Sequence, residues 1–240
     1  MFNTFKTFVE DYLTSCNSES RWLLQPIKWE TPVYGSNYFD FTDFSAPGVI
    51  LTSTCFLGLA LTALAMITER KEGTFDRLLI TGVNEIEMLV SHGLSQLVVM
   101  FVQSIIALIT IFAIFGLTNQ GSYLLIVLLT FLSGLFGMVY GLCISCIFTS
   151  EIPAIFAAMG SFFPMMLLSG FMWPKEGMHY LLQLISIILP FTHPTESLRS
   201  IMHRGWDLST GVVYIGFIVM LIWTLIIFVI SIFIIKFKKT

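Results

Sequence analysis

From Met88 through Ser150 the chain carries no Asp, Glu, Lys or Arg. That run is long enough for two bilayer crossings of about 20 residues each. The rest of the chain is similar: 56% of residues are hydrophobic and 11% charged, where a soluble domain carries roughly 25% charged residues. With a mean hydropathy of +0.86, most of this chain has lipid as its solvent, and it reads as an all-α integral membrane protein.

About five transmembrane helices are legible, near 46–68, 89–116, 122–149, 152–172 and 211–235. Pro47 and Gly48 open the first, and Glu69, Arg70, Lys71 and Glu72 mark its far boundary. Asn119, Gln120, Gly121 and Ser122 form the turn between the second and third. Glu151 and Pro153 start the fourth, and Trp173 to Glu176 end it. The apolar piece Leu181 to Leu189 is too short to cross, which predicts a re-entrant or interfacial hairpin before the last span. Residues 1–45 are polar and aromatic and read as an outer-face segment, with 46–240 as the transmembrane domain.

Basic residues near span ends stay on the cytoplasmic side. Arg70, Lys71 and Arg77 after the first span, and Lys236, Lys238 and Lys239 after the last, are therefore expected inside. His193 and the segment from Trp173 to Thr210 are then expected outside. A net charge of −3 offers no field for a polyanion, so nucleic acid is not an expected partner.

No span carries an ionisable residue near its centre, where a gradient-driven carrier would bind its coupling ion. Energy for uphill movement would have to come from a soluble partner. No His-Glu-x-x-His or Gly-x-Ser-x-Gly supports an intramembrane enzyme, and no catalytic residue is expected. Gln96 and Gln103, seven apart on one helical face, line a pathway or bond a neighbouring helix. Gly137 and Gly141, with Gly134 before them, offer a close-approach surface within one bundle or between protomers. His179, His193 and His203, with Glu176 and Glu196, have irregular spacing and read as solvated loop residues, not a metal site. Cys143 and Cys146 sit among aliphatic residues as packing thiols.

The most distinctive stretch begins at Glu69. From Thr74 it predicts a short amphipathic helix with Phe75, Leu78 and Leu79 on one face, Asp76 and Arg77 elsewhere, and Gly82 as terminator. Asn84 and Glu87 form a capping pair for the second span. Such a helix either rests on lipid or docks a soluble partner.

The motifs Phe39-Asp-Phe-Thr-Asp-Phe-Ser-Ala-Pro-Gly, Glu69-Arg-x-Glu-Gly-Thr-x-Asp-Arg-Leu-Leu-x-x-Gly-Val, Leu168-Ser-Gly-Phe-Met-Trp-Pro and Pro190-Phe-Thr-His-Pro-Thr-Glu-Ser-Leu-Arg resemble the type-2 ABC exporter permeases, particularly the G- and H-type subfamilies. The resemblance covers most of the chain from about residue 39. It implies that 74–81 is a coupling helix receiving the stroke of an ATP-binding domain, with Glu69, Arg70, Gly73, Phe75, Asp76, Arg77, Leu78 and Leu79 as the coupling residues. It also implies a second permease half, homo- or heterodimeric, and export of lipids or other hydrophobic molecules at the plasma membrane. No lysine follows a glycine, so the phosphate loop Gly-x-x-x-x-Gly-Lys is absent. ATP would act only through a nucleotide-binding domain outside this chain, and no cofactor is expected in it. The chain is thus expected to be the carboxy-terminal permease portion of a longer exporter or a truncated product. The alternative is a non-transporting membrane scaffold or regulatory fragment that pairs with full-length exporters.

Overall fold

The computed structural model describes residues 41–73, 82, 85–117, 119–172 and 174–238, all within the second of two units, Asp40–Thr240. The expected outer segment lies almost entirely outside the described residues, as does the stretch from Thr74 to Thr81.

Among the described residues seven α-helices follow in order: α1 Phe41–Lys71, α2 Glu85–Ile109, α3 Tyr123–Ile147, α4 Glu151–Leu168, α5 Tyr180–Ile188, α6 Thr192–Arg204 and α7 Gly211–Lys238. Among the described residues there is no strand. Five of these helices (α1, α2, α3, α4 and α7) are long and apolar enough to cross a membrane.

Several ends differ from the sequence reading. Helix α1 begins at Phe41, before the expected entry at Pro47, because carbonyls ahead of the proline find donors elsewhere in the bundle. It also runs through Glu69, Arg70 and Lys71, since each of those charges has a partner on a neighbouring helix. Helix α4 stops at Leu168, four residues short of Met172. There Ser169 Oγ donates to Met166 O at 2.6 Å, and Gly170 takes a positive φ of 77°, a conformation that ends a helix. The second span closes with a π-turn, Thr110–Ile114.

Helices α1 and α3 form the centre. In their most apolar windows 61% and 67% of residues are buried, against 22%, 17% and 22% for α2, α4 and α7. Their contact is a backbone approach. A Cβ on Gly141 would lie 2.5 Å from Leu59 O, one on Gly58 would lie 2.9 Å from Gly134 O, and one on Gly137 would collide with Cys55 O. Only glycine allows the two helices to touch there, and a hydrogen bond from Ser133 Oγ to Leu51 O at 2.7 Å fastens the seam. The small-residue surface therefore packs within this bundle.

Three layers of buried side chains run along that seam. At one end Ile50, Leu51, Ile126 and Leu129 meet Leu198, Ile201 and Met202 of α6 and Val213 of α7. In the middle Cys55, Phe136, Phe162, Phe191 and Met220 come together, with Phe191 edge-on to Phe136 at 5.7 Å and to Phe162 at 6.1 Å. Leu59, Ile67, Ile144, Ala154 and Ala158 fill the other end.

His193, Glu196 and His203, expected in a loop, are half-buried on helix α6, whereas His179 is exposed. Leu198, Ile201 and Met202 are fully buried, and Thr192, Thr195, Ser197 and Ser200 nearly so. Two of these hydroxyls are accommodated by hydrogen bonds: Thr192 Oγ1 donates to Ser186 O at 2.5 Å, and Ser197 Oγ to His193 O at 2.8 Å or Val212 O at 2.7 Å. Gly216 of α7 leaves the notch that Ser197 occupies. Gly205, at φ 65°, closes α6 with its N–H on Ile201 O.

These glycines define a stability test. Gly137→Ala should destabilise the bundle by about 1–3 kcal/mol through overpacking. Gly160→Ala in α4, where a Cβ would meet nothing within 4 Å, should be neutral or stabilise by about 0.5–1 kcal/mol. Unfolding by denaturing detergent in bicelles, followed by circular dichroism, measures both.

Candidate functional site

The last turn of α1 gathers the chemistry-bearing residues. Consecutive helical residues point about 100° apart, so Glu69, Arg70 and Lys71 must leave the helix in three directions. Each reaches a different helix. Glu69 Oε1 lies 3.2 Å from Nδ1 of His92 on α2. Arg70 donates from Nη1 to Ser145 O in the final turn of α3 at 2.8 Å. Lys71 Nζ meets Glu151, the first residue of α4, at 3.1 Å.

Field and geometry agree at two of these ties. Arg70 sets a cation against the negative end of the α3 dipole, and Glu151 sets an anion at the positive start of α4. The ties differ in weight. The Lys71 and Glu151 side chains are 68% and 38% exposed, so their pair contributes under about 1 kcal/mol. The Arg70 bond is partly buried and satisfies a carbonyl that the end of α3 leaves without a helical donor. His92 is the most enclosed member, with 8% of its side chain exposed, and its Nε2 has no hydrogen-bond partner.

Beyond this turn Gly73, at φ 67°, ends α1, its N–H bonded to Arg70 O at 3.3 Å. Helix α2 resumes at Glu85. The expected coupling residues Phe75, Asp76, Arg77, Leu78 and Leu79, and the capping residue Asn84, lie outside the described residues. What the structure does bring together are the flanks of that segment, held to α2, α3 and α4 by Glu69, Arg70 and Lys71.

The two glutamines of α2 differ. Gln103 Nε2 donates to Thr54 O of α1 at 3.0 Å, and its Oε1 is buried without a partner. Gln96, two turns nearer the charged end, is half-buried. At the opposite end Lys175 pairs with Glu196, and His203 Nε2 lies 3.0 Å from Asp43 O. The side chain of Glu176 lies outside the described residues. No metal-type cluster of His, Cys, Asp or Glu occurs among the described residues. Cys55, Cys143 and Cys146 are buried thiols.

Sequence reasoning passed over two participants. His92 stands in the charge-free run with nothing at helical spacing to mark it, because its partner is 23 positions away on another helix. Arg199 closes the motif that begins at Pro190, with no role of its own assigned there. Its guanidinium lies 4.0 Å above the Phe44 ring. A polar signal was present in both cases, but the partners are tertiary.

Comparison with known proteins places residues 23–203 in a match to the family described as ABC-2 type transporter. The chain is 32% identical over 212 residues to ABC transporter G family member 20 of Dictyostelium discoideum, covering 88% of this chain and 29% of that protein. It is 31% identical over 178 residues to ABC transporter G family member 23 of the same organism, covering 74% and 25%. The probable multidrug ABC transporter permease YbhR of Escherichia coli strain K12 is 27% identical over 175 residues, covering 73% and 47%. The chain thus spans between a quarter and about half of the length of these relatives. No solved structure matches.

The unequal ties predict unequal substitutions. Arg70→Ala should cost roughly 1.5–3 kcal/mol, because it strips a charged donor from a partly buried carbonyl. Lys71→Ala should cost less than about 1 kcal/mol. The same detergent-unfolding measurement ranks them, and equal effects would contradict the assigned geometry.

Proposed function

Because the chain belongs to the ABC-2 type transporter family, we propose that it is the membrane-spanning permease part of an exporter powered by a separate ATP-binding domain. The observation that carries this reading is the threefold anchorage of Glu69, Arg70 and Lys71 on α2, α3 and α4. In this proposal segment 74–81 is the coupling helix, and Phe75, Leu78 and Leu79 are its docking face. A push on that helix enters α1 through its last turn. From there it reaches α2, α3 and α4 together, because each is tied to a neighbouring residue of the same turn.

Lipids or other hydrophobic molecules are the proposed cargo. The spans have no ionisable residue near their centres, and a groove of about 160 Å³ between α1 and α4 is lined by Phe56, Leu59, Ala63, Ala158 and Met159. The multidrug designation of YbhR agrees with that class. A second permease half, identical or homologous, is the proposed partner, since the outer faces of α2, α4 and α7 expose many large apolar side chains. The charged end is assigned to the cytoplasm and the Lys175 end to the outside of the plasma membrane.

Two experiments test this. With an ATP-binding domain in proteoliposomes, Leu78→Ala and Leu78→Trp should both uncouple ATP hydrolysis from transport while membrane insertion persists. A helix that only rests on lipid would tolerate tryptophan, which interfaces favour, so full coupled transport with both variants would overturn the docking role. For sidedness, Ser209→Cys in a cysteine-free background should react with an impermeant thiol reagent applied outside, and Thr81→Cys should not. The reverse pattern would overturn the assignment.

A further inference from the structure

Pro47 lies inside α1, and proline has no N–H. The carbonyl four residues earlier, Asp43 O, therefore loses its regular helical donor, and the proline ring crowds it. A backbone carbonyl left without a donor in a lipid-embedded bundle is costly.

The donor comes instead from α6. His203 Nε2 lies 3.0 Å from Asp43 O, and since a carbonyl oxygen only accepts, Nε2 must carry the hydrogen. One turn earlier on the same face of α6, Arg199 Nη2 donates to the next carbonyl of α1, Phe44 O, at 3.2 Å. The same nitrogen lies 3.1 Å from Gly170 O, in the turn that ends α4, and the guanidinium stacks over the Phe44 ring at 4.0 Å. Two separate segments, the first turn of α1 and the turn that ends α4, thus converge on two side chains of α6 spaced i, i+4.

We propose that Arg199 and His203 form a side-chain clasp that replaces the backbone hydrogen bond missing at Pro47 and joins the first turn of α1, the end of α4 and α6 into one body. Pro47 is then a hinge whose state the clasp sets. With the clasp made, Phe41–Ala46 moves with the bundle; with it broken, that turn pivots at the proline. Both residues are positioning residues, and the assignment stands on backbone geometry whether or not the chain transports anything.

Hydrogen–deuterium exchange of the full chain in lipid nanodiscs, read by mass spectrometry on the peptide covering residues 41–52, tests the clasp. His203→Ala should speed exchange there by about tenfold, as expected for losing one buried hydrogen bond. His203→Gln, which keeps a donor at a similar reach, should stay close to the parent. The decisive background is Pro47→Ala, where residue 47 regains an N–H for Asp43 O. In that background His203→Ala should change exchange by less than about twofold. An unchanged rate for His203→Ala in the native background would overturn the clasp. So would an equal acceleration in both backgrounds, which is what lost packing alone would produce. If His203→Ala alone does not fold, recovery of a folded chain by adding Pro47→Ala supports the clasp, and failure to recover overturns it.

Discussion

The approach of α1 to α3 is the contact on which the rest of the bundle depends. In lipid, apolar side chains gain little by meeting each other, so helices associate through close packing and polar contacts that hydrocarbon cannot supply. Gly58, Gly137 and Gly141 let the two backbones come within van der Waals reach along the seam. Ser133 adds a hydrogen bond to the Leu51 carbonyl at one end of that seam. With α1 held centrally, α2, α4 and α7 can keep largely apolar, lipid-facing surfaces and touch the centre along one side each.

Helix α1 then links both ends of the molecule. Its last turn spreads Glu69, Arg70 and Lys71 over three neighbours, and its first turn is held by Arg199 and His203 of α6. The two ends are built on different physics. At the charged end, partners are side chains and helix termini whose dipoles favour them. At the other end, the partners are carbonyls of α1 itself, one of them deprived of its helical donor by Pro47. A rigid rod between two such attachments would pass displacement along its length, and the proline is the place where that rod can bend.

The five spans were legible in the sequence because their signal is local. Charge-free length and apolar content need no knowledge of neighbours, and the structure retains all five. Their ends were less legible, since an end depends on whether a boundary residue finds a partner. Glu69 to Lys71, read as the boundary of a span, form a helical turn with three partners. Helix α6 was the largest departure. Its string of Thr, His, Pro, Ser and Arg reads as surface, yet one face of it is buried, with the Thr192 and Ser197 hydroxyls bonded to backbone carbonyls and Gly216 leaving room for Ser197.

The candidate site divides in the same way. Sequence alone singled out the stretch from Glu69 onward, since a dense charged cluster between apolar runs is visible without coordinates. It also picked out Gly137 and Gly141 as a close-approach surface but could not say what approached. Only the tertiary structure decided that α1 of the same chain fills that surface, that Glu69 meets His92, and that Arg199 and His203 serve the carbonyls around Pro47. The physical reason is range. Hydropathy, charge and helical spacing are properties of neighbouring residues, whereas a hydrogen bond between positions 43 and 203 exists only once the chain has brought them together.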